Sequence, residues 1–353
     1  MMHKHRWIYG HSWITARYWW DVGPDDFIWA TTAPGWANWY WSSVGVGLAH
    51  GFTQFTFYGR FDPERYLEIL SRYPIANLCA TSTEYRVILA HVPNPASYRG
   101  KIKLGEALSA GKPLNAEVID SFRDALRVTL RDGYGQTELV CLVATTLASR
   151  LNSDLWASLP GLNATVIDEE GNPVGPGRNG EVAVEVGTPG IFAGYWKNPE
   201  LTRQVFSGRW YRTGDLVRVD EEGYFFFEGR AGDIIPSAGY RIGPFEVESA
   251  LVSHPAVAES VVGPPHPGRG EIVKAFVILA SGCEPSEELV RELQNYVREI
   301  TAPYKHPRET EFVTELPKAS SGKIKRAELR KGEYERKNGI SGKCETSVVA
   351  KCR

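Results

Sequence analysis

The chain has 353 residues, too many for one core of ordinary size, so two or three structural units are expected. With 42% hydrophobic and 23% charged residues it has the balance of folded soluble chains, which excludes wholesale disorder and a fibrous protein. Forty Lys plus Arg against 42 Asp plus Glu leave a net charge of −2, so no bulk positive field draws it to nucleic acid or an anionic membrane, and a small molecule is the expected partner.

The opening MMHKHRWIYGHSW has no uninterrupted apolar stretch of the kind a signal peptide needs. No run elsewhere approaches the roughly 20 apolar residues of a membrane span. Five cysteines, Cys79, Cys141, Cys283, Cys344 and Cys352, contain no C-x-x-C pair and read as reduced thiols of a cytoplasmic protein. The early tryptophans, Trp7, Trp13, Trp19, Trp20, Trp29, Trp36, Trp39 and Trp41, have no single-face helical spacing. They are expected in the core, under a partner surface or along an apolar ligand pocket.

Residues 1–150 alternate helical periodicity, at 63–73 and 115–126, with short apolar runs at 52–58 and 75–80, the pattern of an α/β unit with a covered sheet. Over 151–229 the texture changes to short β-type runs, ATVID, GEVAVEV, DLVRVD and YFFFEG, separated by the turn signals EEGN, GPGRNG and DEEG. That segment predicts a β-rich, barrel-like subdomain. Over 230–330 a helix at 244–253, a strand at 272–279 and a strongly periodic helix at 286–300 predict a compact α+β domain. Residues 331–353 are polar and without periodicity, and a flexible tail is expected.

Four strings carry chemistry. Residues 132–138, DGYGQTE, place two glycines where a backbone can turn tightly beside a ligand, with Thr137 offering a hydroxyl to phosphate and Glu138 a hard oxygen to Mg²⁺. By composition alone a glycine turn with a polar tip is more often a structural one. In YRTGDL, 211–216, the Asp215 carboxylate follows a glycine and can accept both hydroxyls of a ribose. In EGRAGDIIPSAGYRIGPFEVE, 228–248, Arg230 and Arg241 flank a turn-rich segment suited to phosphate or ribose. The fourth, PKASSGKIKR at 317–326, presents Lys323 from a glycine-containing loop; read alone, such a lysine is solvated surface.

In this order, and joined by HPAVAES and TAPYKHPR, these strings resemble the adenylate-forming (AMP-binding) superfamily of acyl-CoA synthetases, adenylation domains and luciferases. The resemblance runs from about Tyr9 to Arg330, and the wording is nearest the medium-chain acyl-CoA synthetases. It implies an α/β plus β-barrel-like fold with a small C-terminal α+β domain, and an acid–thiol ligase that is fed ATP, Mg²⁺, coenzyme A and a carboxylic acid of fatty-acid or aromatic type. The acid attacks the α-phosphate to give acyl-AMP, and the CoA thiol then displaces AMP.

Carried over position by position, the resemblance gives Thr137 the α-phosphate, Glu138 the Mg²⁺, Asp215 and Arg230 the ribose and Arg241 the phosphates. Lys323 bridges the developing charge in the adenylation step only. Gly111, Lys112 and Pro113 lie in the adenine-contacting loop, SAGKPL, and Tyr134 joins the nucleotide site. Gly232 falls at the hinge about which the C-terminal domain rotates to bring Gly239 and Tyr240 beside CoA. Trp36 lies beside the acyl tunnel, and Gly135, where acetate-restricted members carry Trp, leaves that tunnel open for a longer or aromatic acid.

The family's Ser/Thr/Gly-rich phosphate-binding loop has no counterpart in the chain. Backbone N–H groups of such a loop cradle β- and γ-phosphates, so adenylation by this chain is expected to be impaired. An exposed apolar patch rich in the early tryptophans is expected too, covered by a separate N-terminal fragment or a second copy of the chain. Gly232, Pro236 and Lys112 stand where the family favours Asp or Lys, a polar residue and Glu. The alternative to the ligase is a non-catalytic nucleotide- or acyl-adenylate-binding fragment, or one half of a split enzyme.

Overall fold

The computed structural model describes residues 1–146, 157–237, 240–263, 272–318, 324–337 and 348–351. The chain divides into two units, Met1–Thr213 with Val217–Phe227, and Gly214–Leu216 with Glu228–Arg353.

The first unit is built on a seven-stranded sheet. Its strands are β1 (Phe27–Ala30), β2 (Thr53–Phe55), β3 (Asn77–Ala80), β4 (Glu106–Ala110), β5 (Leu130–Gly135), β6 (Cys141–Ala144) and β7 (Ala157–Ser158), in the order β2-β1-β3-β4-β5-β6-β7. The first five run parallel and the last two pair antiparallel. A parallel sheet is covered on both faces, so its strands read as apolar runs whose alternate residues feed two different cores. Ile28, Cys79 and Leu108 enter one core, while Trp29, Leu78 and Ala107 enter the other.

One face is covered by the helices Pro63–Arg72, Ser82–His91 and Ala116–Leu126. The first starts where the Asp62 carboxylate accepts the Arg65 N–H at 2.8 Å with Pro63 behind it. The second opens on a capping box between Thr81 and Glu84. The third buries Val118, Ile119, Phe122 and Leu126 and stops at Arg127, whose φ of 62° ends the winding.

The other face is covered by two segments in which α turns, Trp7–Tyr9 and Ala37–Tyr40, run on into π-type winding, Gly10–Trp20 and Trp41–Leu48. This accounts for the spacing of Trp13, Trp19 and Trp20, which fits no 3.6-residue face because i→i+5 hydrogen bonding widens the turn. Trp7, Trp19, Trp20, Trp29 and Trp41 are buried. Tyr9, Trp13, Tyr40 and Leu48, in contrast, are exposed. The two segments touch closely enough that a Cβ on Gly45 would lie 2.6 Å from the His11 Cβ.

A second sheet, most of it in this unit, contains β8 (Ala164–Ile167), β9 (Asn179–Glu185), β10 (Phe206–Ser207), β11 (Trp210–Val219) and β12 (Phe225–Arg230), with the path β10-β11-β9-β8 and β12 on β11; Gly214–Leu216 of β11 and Glu228–Arg230 of β12 are counted with the second unit. The turn signals read from the sequence become real turns. Asp168 Oδ1 accepts the Asn172 N–H at 2.8 Å, and Asp220 Oδ1 accepts the N–H groups of Glu222 and Tyr224 at 3.0 and 2.9 Å.

In the second unit, the hairpin β13 (Ile235–Ser237) and β14 (Tyr240–Ile242) leads into the helix Pro244–Val252. A four-stranded sheet follows, β15 (Val257–Gly263), β16 (Lys274–Leu279), β17 (Glu309–Phe312) and β18 (Val348–Lys351), in that spatial order. The helix Glu287–Ile300 is capped by Ser286, which accepts the Leu289 N–H at 3.1 Å, and buries Val290, Leu293, Gln294 and Val297 against the sheet core. Where a flexible tail is expected beyond 331, the helix Arg326–Lys337 continues and β18 pairs antiparallel with β17. The cause is tertiary. The Lys274 Nζ lies 2.7 Å from Glu333 on that helix, and β17 offers an unpaired edge to the chain that follows. Among the described residues, no helix is long and apolar enough to cross a membrane.

His11 is fully buried between the rings of Trp7 and Trp41, 4.4 and 5.3 Å away by centroid, and neither ring nitrogen has a hydrogen-bond partner among the described residues. Burial, helped by the His3 charge, holds its pKa well below the ordinary 6.5. The folded state therefore leaves His11 neutral while the unfolded chain protonates it below about pH 6.5. Its contribution is complete above that pH and lost as pH falls, at up to about 1.4 kcal/mol per pH unit. Denaturant midpoints should drop between about pH 7.5 and 5.5, and His11→Phe should flatten the drop; an unchanged pH profile in that variant would assign the effect elsewhere.

Candidate active site

The spatial order β2-β1-β3-β4-β5 reverses direction between β1 and β3, and the carboxyl ends of parallel strands around such a switch point form the crevice where α/β sheets bind ligands. The sequence-derived residues of this unit cluster on loops leaving those ends. Trp36 lies in the segment after β1, Gly111, Lys112 and Pro113 follow β4, and Tyr134 to Glu138 end β5 and turn into β6.

The loop after β4 is held from below and covered from above. Gly111 has φ +94°, a conformation glycine adopts without cost, and the following turn is fixed where the buried Asp132 accepts the Leu114 N–H at 3.1 Å. Trp36 lies directly against Gly111: a Cβ there would come 2.7 Å from the Trp36 Cζ2. The tertiary structure thus joins a residue expected at the acyl tunnel to one expected at the adenine.

The hairpin between β5 and β6 presents Thr137, exposed, and Glu138, half-buried. The Tyr195 hydroxyl donates to Glu138 Oε1 at 2.8 Å, and the Phe192 N–H donates to the Glu138 carbonyl at 2.8 Å. Gln136 locks the hairpin onto β11, donating to the Thr213 carbonyl at 2.8 Å and accepting from the Tyr211 hydroxyl at 2.7 Å. His3 reaches the same tip. Burial lowers its pKa, while a backbone hydrogen bond at Thr137 and the nearby Glu138 charge pull it back up. Sequence reasoning passed over Gln136, Tyr195 and His3. Gln136 lies inside a string already singled out; Tyr195 and His3 are isolated residues that only folding brings to Glu138.

Gly135 sits where two strands approach closely. A Cβ at this position would lie 2.2 Å from the Val140 carbonyl oxygen and 2.9 Å from its carbon, so glycine is required by the close approach of β5 and β6. Gly133 is similarly tight, with the Trp19 ring 2.5 Å from the position of a Cβ.

In the second unit the two expected ribose residues meet. Arg230 Nε lies 3.2 Å from Asp215 Oδ1, with the Asp215 side chain 3% exposed and that of Arg230 54%. Gly214 has φ +74° and its carbonyl accepts the Ala231 N–H at 2.8 Å, which fixes the segment carrying Asp215 beside the one carrying Arg230. Gly232 is exposed and nothing approaches the place of a Cβ, so a side chain fits there without strain. Tyr240 is half-exposed and stacks on Tyr304, ring centroids 4.0 Å apart and 13° from parallel. The backbone of Arg241 pairs with Pro236; the Arg241 side chain, Gly239 and Lys323 lie outside the described residues.

Comparison with known proteins follows the same division. The profile of AMP-binding enzymes matches residues 1–196, and that of the AMP-binding enzyme C-terminal domain matches residues 246–323. An uncharacterized acyl–CoA ligase of Bacillus subtilis is 47% identical over 339 residues, covering 96% of this chain and 64% of the relative. A mitochondrial acyl-coenzyme A synthetase of Homo sapiens is 41% identical over 329 residues, covering 91% of this chain and 56% of the relative. Among solved structures, a benzoate CoA ligase from Burkholderia xenovorans superposes with a TM-score of 0.84 at 28% identity, covering 93% of this chain and 66% of the other. The chain therefore spans less than two thirds of the length of these proteins.

Two glycines give contrasting expectations. Gly135→Ala should destabilise the first unit by about 1–3 kcal/mol, the usual cost of forced overpacking, whereas Gly232→Ala should stay within about 0.5 kcal/mol of the parent. Urea unfolding measures both, and equal midpoints would mean that the β5–β6 hairpin relaxes freely.

Proposed function

The chain belongs to the AMP-binding enzyme family, and from that premise we propose that it serves ATP-dependent activation of a medium-chain or aromatic carboxylic acid and transfer of the acyl group to coenzyme A. The observation that carries this reading is the convergence of Trp36, the Gly111 loop and the Thr137–Glu138 hairpin tip at the carboxyl ends of one parallel sheet. An adenylate needs an anchored planar base and hard groups for phosphate within one crevice, and these loops supply both.

In the first step a carboxylate oxygen attacks the α-phosphorus of ATP. The bond from that phosphorus to the bridging oxygen breaks, its electron pair leaves with pyrophosphate, and acyl-AMP remains. In the second step the CoA sulfur, having lost its proton, attacks the acyl carbon, and the carbon–oxygen bond breaks with its electrons leaving on AMP. Little covalent work falls to the protein, so its part is orientation and charge.

Thr137, at the exposed tip, donates its hydroxyl to the α-phosphate. Glu138, steadied by Tyr195, is the carboxylate for Mg²⁺. A single carboxylate fits that ion, because Mg²⁺ is commonly bound by one or two carboxylates together with the phosphates of its nucleotide. When bound, Mg²⁺ neutralises charge on those phosphates. Asp215, pre-ordered by Arg230, accepts the ribose hydroxyls, while Gly111, Lys112, Pro113 and Tyr134 shape the base and nucleotide pocket. Lys323 and Arg241 supply cationic charge to the phosphates. Trp36 separates the adenine loop from the acyl side, and its broad apolar face suits a benzoyl or medium-length alkyl group. Gly232 is the hinge, and Gly239 with Tyr240 meets CoA.

Two measurements test these assignments. Asp215→Asn should weaken AMP binding about 10- to 100-fold, the loss of a charge-assisted hydrogen bond, with the melting temperature nearly unchanged; undiminished affinity by calorimetry would remove Asp215 from the ribose site. Lys323→Ala should abolish ATP–pyrophosphate exchange with octanoate or benzoate while sparing thioester formation from supplied acyl-AMP and CoA. Equal loss in both halves would contradict the role given to Lys323.

A further inference from the structure

Thr137, Glu138 and Leu139, three consecutive residues of the β5–β6 hairpin, are each gripped by chain distant in sequence, and the opening segment that grips two of them has no role assigned so far. Trp7 is 6% exposed, and its indole N–H donates to the Leu139 carbonyl at 3.2 Å. His3 hydrogen-bonds to the backbone at Thr137, and its ring lies 5.4 Å from that of Trp7. Between them, the Glu138 carbonyl accepts the Phe192 N–H and its carboxylate accepts the Tyr195 hydroxyl, both at 2.8 Å.

The two gripping segments are also joined to each other. The Met2 N–H donates to the Gly194 carbonyl at 2.9 Å, and the Ala193 N–H donates to the Met2 carbonyl at 2.7 Å. Hairpin, opening segment and residues 192–195 thus close a ring in which each part touches the other two. At its base Val140 fits against two glycines: a Cβ on Gly10 would lie 3.1 Å from Val140 Cγ1, and one on Gly190 2.6 Å from it. Trp7 holds its own place in this ring through the π-wound layer, with His11 and Tyr40 at centroid distances of 4.4 and 5.2 Å. The buried indole nitrogens of Trp19 and Trp20 have no hydrogen-bond partner among the described residues, whereas that of Trp7 is aimed at one carbonyl of the hairpin.

We propose that Trp7 is a positioning residue for Glu138, holding the hairpin so that the carboxylate meets a nucleotide-bound Mg²⁺ in one place. The proposal rests on the role given to Glu138 above. A side chain near an exposed hairpin tip gives up freedom when a ligand binds, and fixing the backbone beforehand lowers that cost. The Leu139 carbonyl belongs to the residue directly after Glu138. Losing its donor therefore loosens the carboxylate while every group assigned to the ligand stays in the chain.

The test uses the full chain with Trp7→Phe, which keeps a buried ring and loses the donor, beside Glu138→Gln as the reference for a lost carboxylate. By calorimetry, Trp7→Phe should weaken ATP binding in Mg²⁺ about 3- to 10-fold, the range of one lost hydrogen bond, and leave AMP binding in EDTA within about twofold. Placed on Glu138→Gln it should add no further loss. In the unsubstituted chain, backbone hydrogen exchange over 1–12 and over 136–139 should slow together when ATP is added with Mg²⁺, because coupling is reciprocal, and not when ATP is added with EDTA. A purely structural role would weaken both ligands equally or add to Glu138→Gln, and either result, or exchange over 1–12 unchanged by Mg²⁺ and ATP, overturns the proposal. Affinity lost in Glu138→Gln but kept in Trp7→Phe refutes Trp7 alone. Affinity kept in Glu138→Gln, or no binding of ATP or AMP by the unsubstituted chain, removes the reading of Glu138 and Trp7 with it.

Discussion

Five adjacent parallel strands are stable only where both faces are covered, because each crossover must return over the sheet and each strand buries side chains in two directions. In this chain the requirement is met from one side by capped amphipathic helices and from the other by the π-wound segments Gly10–Trp20 and Trp41–Leu48. The second layer is the tighter one. Gly45 against His11, and Gly133 against Trp19, admit no methyl group. From the parallel arrangement it follows that the ends of β1, β4 and β5 all face the same way, and the loops there inherit fixed positions from rigid strands. Trp36 over Gly111 is one consequence. The Glu138 tip, tied to Tyr195 and through Gln136 to β11, is another.

The two units use charge differently. In the first, Arg131 is 1% exposed in its side chain and paired with Glu106 on the neighbouring strand; burial, with Asp21 and Asp26, raises the Glu106 pKa while Arg131 pulls it back down, and the net shift is upward. That pair sits inside an apolar sheet and sets register more than it adds net stability. In the second unit, ion pairs join neighbouring elements beside the apolar core. Lys274 on β16 reaches Glu311 on β17 and Glu333 on the last helix, each at 2.7 Å, and Arg326 reaches Glu248. The helix Arg326–Lys337 is dominated by Lys, Arg and Glu; Leu329 packs against the cluster of Val261, Phe276 and Leu316, and the ion pairs add to that hold.

Legibility followed the range of the interactions. The helices at Pro63, Ser286 and Pro244 announced themselves because a cap and an apolar stripe are local matters, and the structure starts each within a residue of the expected place. The tryptophan-rich opening was unreadable for a local reason too: a period of 3.6 was sought where the backbone winds more widely. The continuation beyond Lys331 was missed because its order comes from Lys274 and from the edge of β17, both distant in sequence. Gly135 shows the same limit from the other side. Its close approach to the Val140 carbonyl across the hairpin depends on strand pairing and is not written in the string that holds it.

By itself the sequence determined the class of fold and the family, because glycine turns, caps and hydroxyl–carboxylate strings are written in adjacent residues. Only the tertiary structure decided which of them meet. It set Trp36 on Gly111, Arg230 beside Asp215, Tyr195 and His3 at Glu138, and Arg326 on Glu248. These contacts span from 15 to well over 100 residues of chain. Such pairings depend on strand order and on the space left by packing, and no local pattern of residue types records either.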